Sequence, residues 1–188
     1  MRLFSTCRVR SNAIAFSALT EAVPETNLSR PFATIFLALA VASFSVISAF
    51  ADTNVSGAIT GNTLWKKADS PFVVTADVSV QSGATLTIEA GTTVRFSLAT
   101  SLRVISGALI AVGTATDNVS FTSVRDVSGS SPAAAAGDWN GLQFAAATNS
   151  ATTRLAYAQV KFGKGLQLRS ASPIISNTTF LNNASAAM

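Results

Sequence analysis

The chain has 188 residues, 48% hydrophobic and 12% charged, with a net charge of +4, one cysteine and no histidine. That length supports one domain plus a short extra segment, and a lone cysteine without histidine excludes both a disulfide framework and a Cys/His zinc site. No phosphate-cradling glycine loop and no basic patch interleaved with aromatics is present, so nucleotide and nucleic-acid functions have no support.

The first 51 residues read as a signal region. Phe32 to Ile47 form an uncharged apolar run, Arg30 precedes it, and Ala49-Phe50-Ala51 places small residues at the cleavage positions. A helical signal segment with its apolar core at 32–47, cut after Ala51, is expected, and the mature chain is expected to be secreted or displayed on the cell surface. A retained membrane anchor is the alternative, because the run extended to Phe50 approaches the ~20 residues that span a bilayer. Membrane contact is expected only through this segment. Arg2, Arg8 and Arg10, with Glu21, Pro24 and Glu25, make a front longer than an ordinary positive region, so a misassigned start and an extended signal both stay open. Cys7 leaves with this segment, as does half of the excess positive charge.

Residues 52–72, with Ile59, Leu64, Trp65 and Phe72, are expected to form an N-terminal cap over the strands beyond them. From Phe72 onward the pattern is strand, turn, strand, without helical spacing. Leu86, Ile88, Val94 and Phe96 point one way while Thr85, Thr87, Glu89, Thr93 and Arg95 point the other, with Gly91 at the bend. The inward set continues as Leu102, Val104, Leu109, Val119, Phe121, Leu142, Phe144, Leu155, Tyr157, Val160, Phe162, Leu166, Leu168, Ile174 and Phe180. Phe96, Phe121, Phe144, Phe162 and Phe180 are read as one core stack.

Gly141-Leu142-Gln143-Phe144 recurs as Gly165-Leu166-Gln167-Leu168, about 24 residues on, which is the length of a solenoid coil. Hairpins of a β-sandwich favour two-residue Asn-Gly or Asp-Gly loops. Asn140-Gly141 is the only such dipeptide, and it opens a strand instead of joining two. The fold predicted is therefore all-β, a right-handed parallel β-helix of about four to five coils over residues 73–188, with Asn177 and Asn182 placed for side-chain ladders. Asn183 to Met188 stop where another strand is due, so the solenoid is expected to be incomplete at that end.

Val78-Ser79-Val80, Gly83, Leu86 to Phe96 and Gly113-Thr114 resemble the opening of bacterial secreted right-handed parallel β-helix proteins, the pectate-lyase-like solenoids. Gly137-Asp138-Trp139-Asn140-Gly141 resembles their recurrent Gly-Asp-Trp-x-Gly element. The resemblance covers about residues 57–188 and implies architecture more than activity, since such proteins include surface proteins, adhesin-like repeats and polysaccharide-active enzymes.

The chemistry expected of a lyase or epimerase on this scaffold needs grouped acids. Glu89 is the only glutamate after the signal, and no carboxylate follows Asp138. Asp117 and Asp138 lie close to one coil apart and could share a cation, but read better as turn acceptors. No catalytic residue, metal site or cofactor is expected, and the chain is not expected to be an enzyme. Trp139 is the candidate platform for a sugar ring, against a packing role at the coil edge, and Lys161 and Lys164 are its candidate companions. With Arg154 and Arg169 these lysines form an acid-free basic flank over 139–188, read as solvated or as a contact for an anionic polymer. The function expected is structural or adhesive, with extracellular polysaccharide or another surface chain as partner. The alternative is the N-terminal part of a carbohydrate-active enzyme, a polysaccharide lyase, epimerase or hydrolase, whose catalytic coils lie further on.

Overall fold

The computed structural model describes residues 51–185. The expected signal segment, including the apolar run 32–47, lies outside the described residues. Among the described residues no helix is long and apolar enough to cross a membrane.

Among these residues fourteen strands wind in one sense of progression, and every pairing between them is parallel. The first coil holds β1 (Thr53–Ile59) and β2 (Thr63–Trp65), followed by a 3₁₀ turn at Lys67–Asp69. The second holds β3 (Phe72–Val80) and β4 (Thr85–Ile88); the third β5 (Thr93–Phe96), β6 (Leu102–Val104) and β7 (Ala108–Val112). The fourth holds β8 (Val119–Ser123), β9 (Leu142–Phe144) and β10 (Arg154–Ala156); the fifth β11 (Ala158–Lys161), β12 (Leu166–Leu168) and β13 (Ile174–Ser176). β14 (Thr179–Leu181) opens a sixth coil.

Three sheets run along the stack. The first joins the front halves of β1 and β3 to β5, β8, β11 and β14; the second joins their rear halves to β6, β9 and β12. The third is β2, β4, β7, β10 and β13. β3 turns the corner between the first two sheets within one strand, at the exposed residues Thr75, Ala76 and Asp77. The Asp77 carboxylate accepts bonds from the Ser101 backbone N–H and hydroxyl, 2.8 and 2.9 Å away, which ties this bend to the next coil.

Alternating side chains make the core, because successive Cβ atoms on a strand point to opposite faces. Phe72, Val94, Phe121, Val160 and Phe180 form one inward column, and Val78, Leu102, Leu142 and Leu166 form a second. Trp65, Ile88, Ala111, Leu155 and Ile175 form a third. Burying each large apolar side chain contributes about 1.5–3 kcal/mol, whereas ordering each residue's backbone costs about 1–2 kcal/mol. A coil alone cannot meet that cost; stacked coils share the ladders and the core.

The near-repeat is one coil: Leu142, Gln143 and Phe144 pair in register with Leu166, Gln167 and Leu168. The solenoid has about six coils instead of four to five. The stretch 52–72, expected as a cap, supplies rungs of its own, with β1 in register on β3 and β2 on β4. The fourth coil hides the period, since β8 and β9 are separated by residues 124–141 and β9 and β10 by 145–153.

Strict alternation fails at the corners. Tyr157 and Phe162, expected inside, have φ of +46° and +60°, and this left-handed turn takes them out of the strand's phase. Tyr157 is exposed and Phe162 only half-buried. Asn177 and Asn182, read as placed for side-chain ladders, follow β13 and β14 at φ +47° and +51°, one rung from Tyr157 and Phe162 respectively, in the same corners. Ile174 faces outward because it pairs with the exposed Arg154. The five phenylalanines are not one stack: Phe96 and Phe121 pack in the first sheet with centroids 6.5 Å apart, while Phe144 belongs to the second.

Candidate functional site

Trp139 is wholly buried and cannot offer its face to a sugar. Its indole stacks on Phe96, with centroids 4.0 Å apart and planes 7° from parallel, and Nε1–H donates to the Lys161 carbonyl at 2.9 Å. The residue plugs the corner between the first and second sheets and fastens the fourth coil to the third and fifth.

Lys161 is also occupied. Its Nζ lies 2.6 Å from Asp126 Oδ2, which accepts the Thr122 hydroxyl at 2.6 Å as well. Burial alone would raise the Asp126 pKa, but the hydrogen bonds from Lys161 and Thr122 and the positive charges of Lys161 and Arg95 outweigh it and hold the carboxyl below its ordinary value. Arg125 Nη1 lies 3.3 Å from Asp138 Oδ1, and Ser123 Oγ donates to Asp138 Oδ2 at 2.6 Å. Asp126 and Asp138 thus clasp the 124–138 excursion to the first sheet, while the Arg125–Asp138 pair joins its two ends. Of the three residues singled out in the sequence, Lys164 alone is exposed, and Trp139, Lys161 and Lys164 form no common binding face. Asp117 and Asp138 sit at different corners. Asp117 pairs with Lys67 at 2.7 Å, and no metal-sized group of acids occurs among the described residues.

The outer surface of the second sheet carries a different constellation. Ser79, Arg103, Gln143 and Gln167 occupy one outward row on four consecutive rungs, spaced by the ~4.8 Å of neighbouring strands. Both glutamine Nε2 groups donate to the Asn140 carbonyl, at 3.4 Å from Gln143 and 3.0 Å from Gln167. Each amide is therefore held in one orientation, with its Oε1 left to accept. Beside this row, Arg103, Ile105, Gln143, Ala145 and Arg169 line a recess of about 70 Å³. Arg103 and Arg169 take part in none of the ion pairs among the described residues. The two long connections of the fourth coil leave from the two ends of β9 and flank this row.

The signal for this face lay in the repeat itself, since Gln143 and Gln167 hold the same place in Gly-Leu-Gln. Arg103 could not be aligned with them because the 124–141 excursion breaks the period. The third sheet is more apolar outside, with Leu64, Ile110, Val112 and Ile174 outward and Tyr157 at its corner.

Three parallel sheets closed around one apolar core define a parallel β-solenoid. The family described as pectate-lyase like beta helix domain matches residues 57–176, and the chain belongs to it. The chain is also similar to Protein bark beetle of Drosophila melanogaster, 30% identical over 114 residues, which are 59% of this chain and 4% of that protein. It thus spans a small fraction of that relative's length. No solved structure matches the chain.

Proposed function

We propose that this chain is a β-solenoid of the cell exterior with a structural or adhesive role, contacting polysaccharide along its second sheet. The row Arg103–Gln143–Gln167 carries this reading. An extended, hydroxyl-rich polymer presents donors and acceptors at regular intervals, and a row of anchored amides one strand apart meets that demand without a deep pocket. The apolar run 32–47 supports export. The carboxylates support binding over catalysis, because Asp77, Glu89, Asp117, Asp126 and Asp138 each hold a turn or a basic side chain. The full chain is expected to bind a glycan array, and the double substitution Gln143→Ala/Gln167→Ala to weaken that binding roughly tenfold or more. Unchanged binding in the double variant would move the contact to another face.

The family's description favours a second reading, a module of a carbohydrate-active enzyme. Incubation with polygalacturonate checks it. Shortened or unsaturated products would replace the scaffold role with catalysis.

A further inference from the structure

We infer that the recess between Arg103 and Arg169 is a subsite for an anionic substituent, a carboxylate or a sulfate ester, taken up without a metal ion; this rests on the second-sheet reading above. Arg103 stands on β6, Gln143 on β9, and Arg169 directly after β12, so the two arginines border the recess across three rungs. No carboxylate is among the residues lining it, and neither arginine belongs to the ion pairs of the described residues. The other arginines of the first sheet and its excursion, Arg95 and Arg125, do have acidic neighbours.

Ala145 explains why there is room. It lies one rung below Arg169 on the outward side, and a longer side chain there would fill the space between the arginines. At about 70 Å³ the recess is too small for a sugar ring but large enough for one pendant acid group. Guanidinium suits that group, because it offers paired N–H donors to two oxygens at once.

The test uses the full chain with EDTA present. Polygalacturonate, a sulfated galactan and a neutral galactan are compared by calorimetry at low and at physiological salt. Binding is expected to prefer the anionic polymers, to weaken as salt rises, and to fall roughly tenfold in each of Arg103→Gln and Arg169→Gln. Ala145→Phe should abolish the preference while leaving both charges in place, and Arg154→Gln on the third sheet should have no effect. The two anionic polymers tell carboxylate from sulfate. Equal binding of neutral and anionic polymers, unaffected by the arginine variants, overturns the subsite and leaves the second-sheet reading standing. If no polymer binds, that reading fails, and the subsite is judged by titrating free galacturonate and sulfate against the arginine Nε–H signals in NMR. Shifts confined to Arg103 and Arg169 support it, and their absence overturns it.

Discussion

A Cβ placed on Gly163 would lie 2.6 Å from Cε2 of Trp139, so the glycine exists to let the indole reach its place in the core. Residues 139 and 163 also form a parallel bridge between the fourth and fifth coils. The Gly-Asp-Trp-x-Gly element, whose tryptophan is a candidate sugar platform in sequence, acts here as a fastening between coils.

The size of that fastening can be measured. Gly163→Ala forces a rigid ring to move and is expected to cost about 1–3 kcal/mol of stability. Trp139→Ala should cost about 3–5 kcal/mol through lost packing, and more where the Lys161 carbonyl is left without its donor. Urea denaturation followed by circular dichroism reads both, and a neutral Gly163→Ala would mean that the indole has space not seen in this structure.

Asp126 ties the fourth coil to the fifth through Thr122 and Lys161, and its pH dependence follows from its lowered pKa. A carboxyl whose folded pKa is depressed contributes stability that is full above its unfolded value, near 3.8, and lost as pH falls through the lower folded one. Asp126→Asn is therefore expected to be less stable than the wild type by about 1 kcal/mol at neutral pH, an amount suited to a partly exposed pair. The gap should close below the ordinary carboxylate range. Thermal unfolding of both proteins from neutral to strongly acid pH tests this; a gap that persists in acid would assign the effect to packing instead of charge.

Leu166 is 1% exposed and stands in the inward column with Leu102 and Leu142. Leu166→Ala should cost about 2–5 kcal/mol, and Leu166→Asp should prevent folding because the charge finds no partner there. A cooperative transition retained by the aspartate variant would place this residue in contact with water.

Asn177 serves the backbone, given its φ of +47° one rung above the corner at Tyr157. Asn177→Gly is expected to be tolerated within a few tenths of a kcal/mol, since glycine adopts this conformation freely. Asn177→Val should cost about 1–2 kcal/mol, from the clash of its Cβ in the left-handed region. Equal losses in both variants would instead point to a lost side-chain bond.

The strands and their parallel stacking were legible in the order of residues, because alternation has a period of two and the Gly-Leu-Gln repeat marks one coil. The family could be read for the same reason. The bend at Gly91 was legible too, but the facing of side chains next to the other corners was not. Tyr157, Phe162 and Ile174 continue or flank an inward pattern in sequence, yet a single left-handed φ or a one-residue shift of phase turns a side chain over, and neither leaves a compositional mark.

The candidate site divides along the same line. Local sequence determines that Gln143 and Gln167 are equivalent, since they occupy one position of one repeat. Only the tertiary structure puts Arg103 in their row and Arg169 beside it, and only it buries Trp139 and engages Lys161 with Asp126. The reason is physical: lateral neighbours in a solenoid are set by hydrogen-bonded register between coils of unequal length, and an excursion such as 124–141 changes the sequence distance between neighbours without disturbing the ladder that holds them side by side.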